Sequence, residues 1–160
     1  MVSRSLPDLG RRGEGWVLIQ VVLFVGVGVA GALGPAWSGG LRAGGLVLGV
    51  ALVAGGVLLC GRGILDLREN LTPFPRPSAG ARLVETGSYG LVRHPIYGGA
   101  IVAAAGWGLA TASLPALAGA AVLLVFFDLK SRREEAWLIE RFEGYAAYRS
   151  RTRKLLPWLY

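Results

Sequence analysis

One cysteine and one histidine occur in 160 residues. The lone thiol, Cys60, excludes an internal disulfide and a cysteine-built zinc site, and no metal is expected. Cys60 ends an apolar run and reads as packing. Charge is equally scarce over long stretches: Trp16 to Leu33 holds none in 18 residues. A signal-peptide pattern is missing too, because Gly13, Glu14 and Gly15 interrupt the approach to the first apolar run and no small-residue cleavage site follows it. What remains is 53% apolar, rich in Gly and Ala, with a mean hydropathy of +0.51. Those values, with the uncharged runs, describe a membrane protein, and the length suits a single domain.

The apolar runs set the expected architecture: all-α, integral membrane, with about four transmembrane helices at 16–33, 41–60, 96–110 and 114–127. Trp16 stands where an interfacial aromatic belongs. Gly34-Pro35 and Gly39-Gly40 make a turn before the second run, where Arg42 can snorkel. Small residues recur in that run (Gly44, Gly45, Gly49, Gly55, Gly56), which lets helix backbones approach closely. Residues 61–95 are a long polar segment broken by Pro73, Pro75 and Pro77, although 61–70 can lengthen the second helix. Loops of that length are usually functional. Pro95 suits a first helical turn and Ser113 a helix cap. The third and fourth runs cover only ~21–23 Å, less than the ~30 Å hydrocarbon core. No breaker follows Val122 until Phe142 is passed, so the fourth helix is expected to run on into the cytosol and to end near Gly144. The tail beyond it is basic and aromatic, and Leu155 to Tyr160 is apolar enough to lie in the interface.

The net charge of +7 is arranged for a membrane, not for nucleic acid. With the N-terminus in the cytosol, the cytosolic segments hold three Lys and Arg in 1–15, five in 61–95 and eight in 128–160. Arg42 is the one that remains, and all ten acidic residues lie on the same side. This is a positive-inside pattern that puts both termini in the cytosol at a cytoplasmic membrane.

It also brings Thr86–Gly99 and Glu134-Glu135 to one face of the membrane. His94 precedes Pro95, with Arg93 before it and Tyr97 on the first turn after it. A helix cap with an interfacial Arg and Tyr explains this group as well as a functional site does. Glu134 and Glu135 point about 100° apart on a helix, so one of them at most faces a given ligand. Standing alone they would read as a solvated charge run. Gly98 and Gly99 permit close approach of a ligand or of a packed helix.

Arg-His-Pro-x-Tyr-x-Gly at 93–99 follows Thr-Gly-x-Tyr at 86–89. Glu-Glu-x-x-Leu at 134–138 precedes Phe142, Gly144, Tyr145, Tyr148, Arg153 and Pro157. In this order, over roughly residues 80–157, the motifs resemble the signature of the isoprenylcysteine carboxyl methyltransferase and phospholipid methyltransferase superfamily. Glu143, between Phe142 and Gly144, departs from the family's Phe-Gly. The resemblance implies an integral membrane methyltransferase without a Rossmann-like domain, using S-adenosylmethionine in a pocket of the C-terminal half. It implies cofactor contacts at Leu83, Val84, Tyr89, His94, Tyr97 and Glu134, with Glu135 beside them and Gly99 at the close approach. The family's acceptor-side arginine corresponds to Lys130 or Arg133. A lipid-like or isoprenoid-linked acceptor is implied, presenting a carboxylate, amine or thiol.

The residue types suit that chemistry. Displacement at an activated methyl needs positioning and exclusion of water more than acid–base power. Arg93, Lys130 or Arg133 would orient a carboxylate acceptor, and His94 is the one histidine that could help an amine lose its proton. Two rivals are an NADPH-dependent membrane reductase, which would usually be longer, and a non-catalytic membrane interaction protein.

Overall fold

Helices account for nearly all regular structure in a computed structural model that describes residues 6–34, 36–39, 41–78, 80–157 and 160. Helix α1 spans Glu14–Leu33, α2 Leu41–Leu67, α3 Pro95–Ala110, α4 Leu114–Arg141 and α5 Tyr145–Arg151. Single 3₁₀ turns occupy Arg68–Asn70 and Gly87–Gly90, and no strand forms among the described residues. The helix limits have local causes. Gly13 enters α1 at φ +85°, a left-handed conformation that favours glycine. Pro95 opens α3 behind His94, where its missing N–H costs nothing. Ser113 caps α4, its Oγ accepting from Ala116 N at 3.3 Å.

α2 and α3 pack antiparallel through glycine. The buried residues of α2 are Gly49, Gly56 and Gly63, seven apart. A Cβ on Gly56 would stand 2.5 Å from the Gly99 carbonyl oxygen, and one on Gly49 would stand 2.6 Å from that of Gly106. In lipid, where apolar burial gives no drive, such backbone contact holds helices together. α1, α3 and α4 share a second interface of larger side chains: Val27, Ile101, Ala104, Leu123, Phe126 and Phe127. At the end opposite the charges, the α3–α4 turn is tied down twice. Ser113 Oγ donates to Ala30 O at 2.8 Å, and Trp37 N donates to Ala112 O at 3.0 Å.

Three helical stretches are long and apolar enough to cross a membrane: Glu14–Leu33, Leu41–Asn70 and Leu114–Arg141. Their outward side chains, such as Leu18, Val47 and Leu58, are exposed, as lipid contact requires. The 16 residues of α3 extend ~24 Å and fall short of a ~30 Å core, so the count of long spans is three where about four are expected from the apolar runs. α4 reaches ~42 Å because the helix continues past its apolar run through Arg141.

The C-terminal segment, a basic and aromatic tail in sequence, gains a short helix and a return of the chain. After Phe142 ends α4, α5 forms and the chain turns back. Leu155 is fully buried, and a Cβ on Gly98 would collide with its carbonyl oxygen. Arg93 N donates to Arg153 O at 2.8 Å and His94 N to Lys154 O at 3.0 Å. The tail thus straps the backbone that enters α3.

Candidate functional site

A cavity of about 360 Å³ opens between the polar ends of α2, α3 and α4. The proline segment forms one wall, with Phe74, Pro75 and Pro77 lining it. That segment is anchored to the N-terminal residues: Arg12 stacks on the Phe74 ring at 4.3 Å and Arg76 Nη1 donates to Arg11 O at 3.1 Å. Another wall comes from the 3₁₀ turn that carries Tyr89. Asp66 of α2 holds this turn, accepting from both Ser88 N and Ser88 Oγ at 2.7 Å.

His94 lies at the centre of the charged groups and is 5% exposed. Its ring stacks on Tyr97 with centroids 5.4 Å apart, and Tyr97 stacks on Phe127 at 4.6 Å. The Tyr97 hydroxyl donates to Glu134 Oε2 at 2.6 Å, and the same oxygen lies 4.0 Å from His94 Nδ1. The other ring nitrogen, Nε2, is 3.2 Å from Glu135 Oε1. Glu135 is also bound by Arg93 Nε at 2.9 Å and by Arg149 Nε at 3.3 Å. Arg93 donates further to the carbonyls of Arg149 and Thr152. Its guanidinium therefore ties α4, α5 and the strap to the start of α3.

Lys130 is 1% exposed, yet it carries its ammonium into the aromatic stack, 5.0 Å from the Tyr97 centroid. It donates to Gln20 of α1 at 2.5 Å. Burial pushes the Tyr89, Tyr145 and Tyr148 hydroxyls well above the ordinary phenol range, so they are neutral donors near pH 7. Tyr148 uses its proton on Tyr89 O at 2.7 Å. The hydroxyl of Tyr145, which also lines the cavity, is buried with no hydrogen-bond partner among the described residues.

Eight of the residues singled out from the sequence line this cavity: Leu83, Val84, Tyr89, Arg93, His94, Tyr97, Lys130 and Glu134. Three do not. Glu135 sits behind His94, in the wall of a separate basin. Gly99 packs against α2, where a Cβ would stand 2.5 Å from Gly56 O and 2.7 Å from Cys60 N. Arg133 turns away from the cavity, stacking on Trp137 at 4.1 Å and pairing with Asp8, and stays largely covered. Gln20 and Phe74 also line the cavity without any signal in the motifs, and so does Tyr145, which stands in the motif after Glu134-Glu135 but carries no expected contact there. Gln20 is the one polar side chain in an otherwise apolar first run, which was the available signal.

The fold and the cavity define a class: an all-helical membrane protein with an aromatic and charged chamber at one end of its bundle. The family profile described as phospholipid methyltransferase matches residues 45–144. That is more than half of the chain, and the chain belongs to this family. It is accordingly an integral membrane methyltransferase. No curated protein matches the chain.

Proposed function

We propose that the cavity binds S-adenosylmethionine and that the protein methylates the amine of a membrane phospholipid headgroup. The observation that carries the reading is the Tyr97–Glu134–His94 group in the wall of a chamber of ligand size. The residues fit such a ligand. The Tyr145 hydroxyl is buried without a hydrogen-bond partner among the described residues, which is costly unless a ligand supplies one. Glu134 offers acceptors for ribose hydroxyls or an ammonium, and Tyr89, Tyr145 and Phe74 offer flat faces for a purine and a sulfonium. When bound, S-adenosylmethionine supplies an activated methyl on a cationic sulfur.

The chain's own groups then position the acceptor and manage one proton. Lys130 is a buried cation in the cavity wall, suited to the phosphate of the headgroup. Glu134 attracts the ammonium, and the Glu134–His94 pair takes the proton that the amine must lose before it can attack. Glu135 and Arg93 act by positioning: they fix the His94 ring so that Nδ1 faces Glu134. The proline segment and α5 wall the chamber on two sides and limit the access of water, which favours transfer over hydrolysis. Both termini are taken to lie in the cytosol, a reading that the positive-inside distribution supports.

The test is methyl transfer from S-adenosylmethionine labelled in its methyl group to vesicles of phosphatidylethanolamine. Label in the lipid fraction, lost with His94→Ala, supports the reading. If the folded protein binds S-adenosylmethionine but labels no aminophospholipid, the acceptor assignment is wrong.

A further inference from the structure

Behind the Glu135 clamp lies a second basin, of about 610 Å³, with no part in the reaction described above. Its lining is basic: Arg132, Arg149, Arg153 and Lys154, with Arg93 at the back. Two carboxylates serve these five cations. Glu135 is shared by Arg93 and Arg149, and Asp128 is shared by Arg132 at 2.7 Å and Lys154 at 2.5 Å. Arg153 is exposed and has no carboxylate in salt-bridge reach among the described residues. Arg93 is 9% exposed and already committed to Glu135 and two carbonyls, so it is closed to an outside ligand. Arg132 and Arg149 are 60% and 52% exposed. An unneutralised arginine beside two half-neutralised ones, all lining one basin, suits phosphate oxygens, which the planar guanidinium fork matches.

The position of the basin along α4 selects the source of that phosphate. The apolar run ends at Phe127, Asp128 comes next, and Arg132 stands about one turn further on. The headgroup layer is about 5–8 Å thick on each side of the hydrocarbon core. Arg132, Lys154 and Tyr160 therefore lie at headgroup depth. The rim is amphipathic at that depth as well: Tyr160 is 47% exposed, and its hydroxyl donates to Asp128 Oδ1 at 2.7 Å. A tyrosine with one wet end is typical of the membrane interface, and basic clusters beside a span attract anionic lipid.

We propose that this basin holds the phosphate of an anionic phospholipid headgroup, separate from the methyl acceptor. The proposal rests on the membrane placement of α4 and is independent of the cofactor reading.

The experiment titrates the full-length protein in neutral detergent with short-chain phosphatidylglycerol, short-chain phosphatidylcholine and inorganic phosphate at matched ionic strength. Binding is read by native mass spectrometry and thermal shift. Phosphatidylglycerol is expected to bind most tightly, and Arg149→Gln with Arg153→Gln to weaken it by about tenfold, the order of losing charge-assisted hydrogen bonds. Arg42→Gln with Arg62→Gln removes the same charge elsewhere and is expected to leave binding unchanged. If Arg149→Gln with Arg153→Gln does not fold, Arg153→Gln alone must still weaken binding by about threefold. Equal loss in both pairs, or loss in neither, overturns the site. Inorganic phosphate binding as well as the lipid overturns the lipid assignment. An S-adenosylmethionine titration on the same samples reads the cofactor proposal separately: lipid binding without it defeats that proposal and leaves this one standing.

Discussion

Glu134 and Glu135 are neighbours on α4 yet serve opposite sides of one imidazole. Glu134 Oε2 takes the Tyr97 hydroxyl at 2.6 Å within the cavity, while Glu135 Oε1 lies 3.2 Å from His94 Nε2, behind the ring. The helical rotation of about 100° per residue puts the two carboxylates on different faces. One is open to a ligand and the other is used up in holding the protein together.

Different outcomes follow for the two glutamates. Glu134→Gln is expected to cut S-adenosylmethionine affinity by about tenfold or more with little change in Tm. Glu135→Ala leaves Arg93 buried without its counter-charge, a loss of about 3–5 kcal/mol in stability. Thermal unfolding in detergent, run beside a binding titration, separates them.

Tyr145→Phe removes a hydroxyl that has no partner among the described residues. Stability of the ligand-free protein should hold or rise slightly. Affinity for S-adenosylmethionine should fall by about five- to tenfold if that hydroxyl meets the ligand, the value of one ordinary hydrogen bond. Calorimetry on the variant checks both halves.

Lys130→Met keeps the length of a buried side chain and removes its charge. The KM for aminophospholipid should rise at least about tenfold, with S-adenosylmethionine binding unchanged, because a charge-assisted contact to phosphate is lost. Initial-rate kinetics over a range of lipid mole fraction in mixed micelles measures this.

The helix interface gives a prediction independent of the chemistry. Gly56→Ala drives a Cβ to 2.5 Å from Gly99 O, whereas a Cβ on Gly55 meets nothing within 4 Å. Gly56→Ala should cost about 1–3 kcal/mol, the usual range for overpacking. Gly55→Ala should be neutral or stabilising by up to about 1 kcal/mol. Thermal shift of the two variants decides.

Much of this architecture was legible because membrane helices write themselves into hydropathy. The apolar runs located α1 to α4, Pro95 and Ser113 marked two helix starts, and the unbroken stretch after Val122 gave the extension of α4. The recurring glycines of α2 announced close packing, though not that Gly99 would be their partner. What stayed hidden depends on tertiary contact. α5 is short, and its polar surface made it look like a tail. The return of Leu155 under Gly98 carries no local signal. Arg133 and Lys130 lie three residues apart, and only the packing of α1 and of the residues before it decides that Lys130 faces Gln20 while Arg133 faces Asp8.

The central claim is that the cavity between α2, α3 and α4 is a cofactor site built on Glu134. Calorimetric titration of the detergent-purified protein with S-adenosylmethionine and with its demethylated product tests it most directly, with Glu134→Ala and His94→Ala alongside. Micromolar binding by the wild type, lost in Glu134→Ala while that variant keeps its Tm, is the predicted result. A folded wild type that binds neither ligand, or a Glu134→Ala variant that binds as the wild type does, would contradict it.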